Sequence, residues 1–147
     1  MKYRMNMKLA ALLASMSILS INANADVHVW DTVHSEAGYW NGTLASINEN
    51  ASFVDANGSP MTTFTLNPAA PVKYGFSFGP NDDFDVAYTL TLTQQTLPQS
   101  DARFTSKTCV FVITAKGPGQ PVIQVLTYNG AQCSYKVNGN GDDYYAG

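Results

Sequence analysis

Beyond residue 25 the chain alternates apolar and polar residues, and no stretch shows the period of an amphipathic helix. "FDVAYTLTLT" is the clearest case. Phe84, Val86, Tyr88, Leu90 and Leu92 fall on one face, and Ala87, Thr89, Thr91 and Thr93 on the other. A strand with one buried side reads this way, and threonine suits the wet side because it is β-branched. "PVKYGFSFG" groups Tyr74, Phe76 and Phe78, and "DVHVWDTV" sets Val27, Val29, Asp31 and Val33 against His28, Trp30 and Thr32. "CVFVITA" and "VIQVLTY" are apolar on both faces, which predicts central strands. "CSYKV" aligns Cys133, Tyr135 and Val137. Weaker strand signals run through 39–47, 52–55 and 61–66.

Turn chemistry separates these runs. Asn57-Gly58 and Asn129-Gly130 supply the positive φ angles of tight hairpins. Asn67-Pro68, Gly79-Pro80 and the "GPGQP" run from Gly117 to Pro121 mark sharper breaks. No repeat or linker interrupts the series. The expectation is one all-β domain over residues 26–137, an antiparallel β-sandwich of immunoglobulin-like or jelly-roll-like type with eight or nine short strands. A closed barrel is the second choice. Residues 138–147, "NGNGDDYYAG", read as a flexible tail rich in Gly, Asp and Tyr.

The ends place the chain. Lys2, Arg4 and Lys8 precede an apolar run from Leu9 to Ile21, and Ala23 and Ala25 then stand at small-x-small spacing. This order is that of a Sec-type signal peptide over residues 1–25, cleaved to leave Asp26 first. The apolar run is too short for a permanent span. Its form points to a secreted protein of a Gram-negative bacterium, periplasmic or extracellular.

Charge then narrows the partners. Residues 26–147 keep five of the eight basic side chains and all eleven acidic ones, a net of −6. That balance argues against nucleic acid, which needs clustered Lys and Arg, and against an anionic membrane surface. The chain is not expected to be membrane-embedded.

Cys109 and Cys133 are the only cysteines, and an oxidising compartment predicts a disulfide between them. Both share a face with apolar residues, so both thiols point inward. In a flat three-strand meander the outer strands would stand about 10 Å apart, whereas a bridge needs Cα atoms within about 7 Å. The two cysteine strands must therefore be neighbours or face each other across the sandwich.

Candidate chemistry is sparse. "FGPNDDFDV" places Asp82, Asp83 and Asp85 behind a Gly-Pro turn. They could seed a calcium site, but calcium takes six to eight oxygens from several segments. A charged, solvated strand start that discourages edge pairing is the plainer account. In "NGNGDD" an EF-hand reading fails, because the bidentate Glu it requires would fall beyond residue 147.

The expected N-terminus, Asp26-Val27-His28, offers an amine, two amide nitrogens and an imidazole, a square-planar set for Cu(II) or Ni(II). Over those three residues it resembles the amino-terminal copper and nickel motif of serum albumins. Trp30, Tyr39 and Trp40, with Tyr144 and Tyr145, raise stacking on a sugar ring, if they are exposed; as core residues the tryptophans would not be available. "NGT", "NAS" and "NGS" at Asn41, Asn50 and Asn57 match a glycosylation pattern but serve as turn residues in a bacterium. No nucleophile elbow or His-Glu-x-x-His helix is present.

The expected function is therefore non-enzymatic: a binding, adhesion or structural module whose partner is another protein or a cell-surface glycan, with self-association included. One version has the leading "DVHVWDTV" strand pair with another subunit's sheet, as in strand-donating pilins. That resemblance covers size, export, one disulfide and the strand. The pilin disulfide lies in the first half of the domain, so no family follows. A periplasmic copper or nickel protein and a carbohydrate-binding domain are the alternatives.

Overall fold

The structure is a computed structural model that describes residues 27–48, 52–78, 85–95, 106–116, 120–139 and 141–147. The ten strands among them are β1 (Val27–Ser35), β2 (Trp40–Ser46), β3 (Ser52–Val54), β4 (Thr63–Leu66), β5 (Val72–Phe78), β6 (Asp85–Gln94), β7 (Thr108–Lys116), β8 (Val122–Tyr128), β9 (Cys133–Asn138) and β10 (Gly141–Ala146). They form two five-stranded sheets, in the orders β3-β5-β1-β10-β9 and β4-β2-β6-β7-β8. From β1 to β6 the chain changes sheet at every step.

Alternation decides which residues turn inward. In β6, Val86, Tyr88, Leu90 and Leu92 are buried while the intervening residues are not, as the pattern predicts. Phe84, the first member of that series, lies outside the described residues. β2 contributes Trp40 and Leu44, β7 contributes Cys109, Phe111 and Ile113, and β5 contributes Tyr74 and Phe76. Side chains from both sheets join one hydrophobic cluster, so neither sheet has a separate core. Rings cross the gap: Phe53 of β3 and Phe76 of β5 lie against Tyr88 of β6, with centroids 5.1 and 5.3 Å away.

Cys109 and Cys133 are bonded, with Cα atoms 5.7 Å apart. β7 and β9 belong to different sheets, so of the two expected geometries the bridge adopts the one that crosses between layers. Asn129 and Gly130 have φ of 59° and 75°, and Ala131 N–H donates to the Tyr128 carbonyl at 3.2 Å. The Asn-Gly turn has formed. It does not close a hairpin, however; it lifts the chain from β8 in one sheet to β9 in the other.

Three expectations need correction. The first is the tail. The stretch Gly141–Ala146 is a strand with alternating burial, paired parallel to β1 and antiparallel to β9. Tyr144 and Ala146 are buried, and this apolar anchoring holds a Gly- and Asp-rich stretch that composition alone reads as loose. The pairing also makes one contact of an otherwise antiparallel architecture parallel. Second, β1 pairs with β5 over Val27–Val33 and with β10 over Thr32–Ser35. Its backbone is used within its own sheet and is not free for donation. Third, "VIQVLTY" is no central strand: among the described residues β8 pairs with β7 alone and ends its sheet.

Candidate functional site

Three places stand out: a buried acid in the core, an imidazole–carboxylate pair on one outer face, and the edge of the sheet at β8.

Asp31 follows the core phase of β1, between Val29 and Val33, and is only 1 % exposed. Its carboxylate is well supplied with donors. Tyr88 Oη donates to Oδ2 at 2.7 Å and Tyr74 Oη at 3.2 Å, while the backbone N–H of Asp142 donates to Oδ1 at 2.8 Å. The two tyrosine oxygens are themselves 2.9 Å apart. The strand β10 reaches Asp31 because Gly141 has φ of 140° and a Cβ there would lie 1.7 Å from the Trp30 carbonyl oxygen. Only glycine permits that approach.

Burial dominates the electrostatics. Desolvation of the carboxylate pushes the Asp31 pKa up from 3.8 to about 6, against hydrogen bonds that favour the ionised form. Burial also raises Tyr74, Tyr88 and Tyr144 above the usual phenol range, so all three stay protonated. Tyr144 Oη is buried without a hydrogen-bond partner among the described residues, and its ring meets Phe111 edge-on at 5.0 Å. A perturbed acid is a catalytic candidate only where substrate can reach it. Asp31, Tyr74 and Tyr88 are enclosed, so this group acts on stability.

On the outer face of the other side of β1, His34 Nε2 lies 3.0 Å from Asp143 Oδ1. The His34 ring stacks on Tyr145 at 4.7 Å and 12°, and Asn138 Nδ2 donates to Asp143 Oδ2. The parallel register that sets His34 beside Tyr145 creates the arrangement. It resembles the base half of an acyl-transfer triad. Among the described residues no hydroxyl or thiol hydrogen-bonds this imidazole.

Among the described residues, those singled out from sequence do not converge. Trp40 is buried, with Nε1 donating to the Ala37 carbonyl at 2.8 Å. Tyr39 is 59 % exposed beside it. Trp30 lies on β1, its ring across Gly75, which leaves the space. These three aromatics therefore form no common sugar platform. Asp85 is exposed at the start of β6, opposite Lys116 in register. Asp26, Asp82 and Asp83 lie outside the described residues, and of His28 the structure describes only its strand pairing with Ser77. Among the described residues, no three His, Cys, Asp or Glu side chains gather to hold a metal, and no helix is long and apolar enough to cross a membrane.

β8 is the feature that sequence reading misplaced. Its inward residues Ile123 and Val125 pack on the core. Its outward residues Val122, Leu126 and Tyr128 are 64, 46 and 49 % exposed. From 117 to 135 the chain has no charged residue. The other sheet edges are blunted in ways proteins commonly use. β3 has three residues and β4 four, with Asn67-Pro68 just beyond β4, and β9 carries Lys136. β8 has seven residues and no charge, and its one flanking proline, Pro121, stands before the strand and leaves its length unbroken. Comparison with protein families, with curated proteins and with solved structures found no match.

Proposed function

We propose that this chain is an exported, non-enzymatic β-sandwich whose working element is the open edge of β8, to which a strand of another chain adds. One observation carries the reading: a strand with the composition of a sheet interior stands at a sheet edge. Apolar on both faces and free of charge, it has the surface expected of a strand with neighbours on both sides. In strand addition the main chain supplies affinity and alternate side chains supply selectivity. Val122, Leu126 and Tyr128 are spaced to be those side chains.

Export is supported by the leader-like order of residues 1–25 and by the disulfide, which persists in oxidising compartments. The sandwich is supported by the shared core of the two sheets and the bridge between them.

The test is direct. A capped, fluorescently labelled peptide of alternating threonine and valine should bind saturably, read by anisotropy. The double variant Gln124→Lys, Leu126→Lys should weaken that binding about ten-fold, through two charges on the outer face of the docking strand. No saturable binding, or binding indifferent to the two lysines, overturns the proposal.

A further inference from the structure

We infer that the strand docking on β8 is β8 of a second copy, added antiparallel about a two-fold axis through Val125, so that two five-stranded sheets become one ten-stranded sheet. This rests on the docking reading above and names its occupant.

Three features favour a second copy. The first is charge. Between Lys116 and Lys136 there is none, so two identical edges meet without the like-charge cost that penalises most self-pairings. A charged partner, conversely, would find nothing on this strand to pair with.

The second is register. An isologous antiparallel pair must place residues of the same face opposite one another. Centring on Val125 keeps every residue of the strand paired, and any slide leaves residues unmatched at both ends. In that register Val122 faces Tyr128 of the other copy, and Gln124 faces Leu126. A β-branched residue opposite an aromatic one is among the favourable cross-strand pairs. Thus Val122 and Tyr128, both exposed in one copy, cover one another, twice over, by symmetry.

The third is the surface beside the edge. Leu126 stands opposite Val110 of β7, and Val112 follows on the same outward face. The apolar surface therefore continues inward from the edge as a patch of the kind that marks an interaction site. The two-fold brings both patches together at the centre of the joined sheet.

Light scattering coupled to size-exclusion chromatography, run on the full chain over a range of micromolar concentrations, tests the inference. The wild type should show the molar mass of two copies at the upper end. Val122→Lys with Tyr128→Lys sets lysine opposite lysine at both ends of the register and should return the mass of one copy. Val122→Lys with Tyr128→Glu sets lysine opposite glutamate and should restore the dimer. Both positions of the comparison are solvent-exposed in one copy, and matching circular dichroism and melting temperature would show that each variant folds.

A wild type that keeps the mass of one copy throughout overturns the second-copy inference. The labelled-peptide assay then decides separately whether the edge still accepts a strand. A dimer that survives the double lysine change, or that the lysine–glutamate pair fails to restore, overturns it as well, because the register is then wrong.

Discussion

Asp31 is expected to lower the free energy of unfolding by about 2 kcal/mol as pH rises from about 4 to about 7, and the variant Asp31→Asn is expected to lack that contribution. The sign follows from where the proton is held. In the folded chain Asp31 titrates at about 6, because burial disfavours its anion; in the unfolded chain it titrates near 3.8. The folded state thus binds the proton more tightly. Stability from this group is complete below the unfolded value and is lost as pH passes the folded one.

The groups that face Asp31 do not reverse the sign. Tyr74 from β5, Tyr88 from β6 and Tyr144 from β10 remain neutral phenols over this range. Asp142, whose pKa burial also raises, acts in the same direction. Asparagine reproduces the neutral carboxyl in shape and cannot ionise, so the variant should match the wild type near pH 4 and exceed it near pH 7. Urea denaturation of both proteins at a series of pH values measures the difference and cancels what the other acids contribute. Parallel curves would mean that Asp31 does not keep its proton.

Replacing both Cys109 and Cys133 by alanine is expected to cost about 3 kcal/mol, a fall in melting temperature of roughly 10 °C for a domain of this size. The sequence separation of 24 sets the entropy released to the unfolded chain. The position of the bridge adds a structural reason. β8 is followed by a turn that sends the chain into the opposite sheet, and the bridge fastens the first residue of β9 to β7 just after that change of layer. Without it, β9 and the β10 strand paired to it are held only by sheet hydrogen bonds and core contacts. Calorimetry of the double variant checks the figure. A loss under about 1 kcal/mol would place the bridge outside the main stabilising elements.

How much of this was legible in the sequence varies with the physical signal. The facing of β6 was plain, because five apolar residues keep period two and the threonines between them are suited to solvent. The disulfide followed from compartment and geometry, which excluded a meander before the sheets were known. β10 was hidden. Its Gly, Asn and Asp neighbours signal a turn, and its two tyrosines gave no hint that only one of them turns inward.

Asp31 was half visible. Its position in phase with Val29 and Val33 states that it faces the core, but the partners that make this tolerable come from β5, β6 and β10. Sequence order does not reveal them. The misplacement of β8 differs in kind. Its composition is that of a strand with neighbours on both sides, yet among the described residues it pairs with β7 alone. A local rule broken without compensation inside the fold is where function is expected.

Residue-resolved amide hydrogen exchange of the full chain, at low and at high protein concentration, tests the open edge most directly. The account predicts that in dilute solution alternate amides of β8 exchange far faster than those of β7, and that concentrating the protein slows β8 while leaving β3, β4 and β9 unchanged. Amides of β8 as protected as those of β7 in the lone chain, or unmoved by concentration, would contradict it.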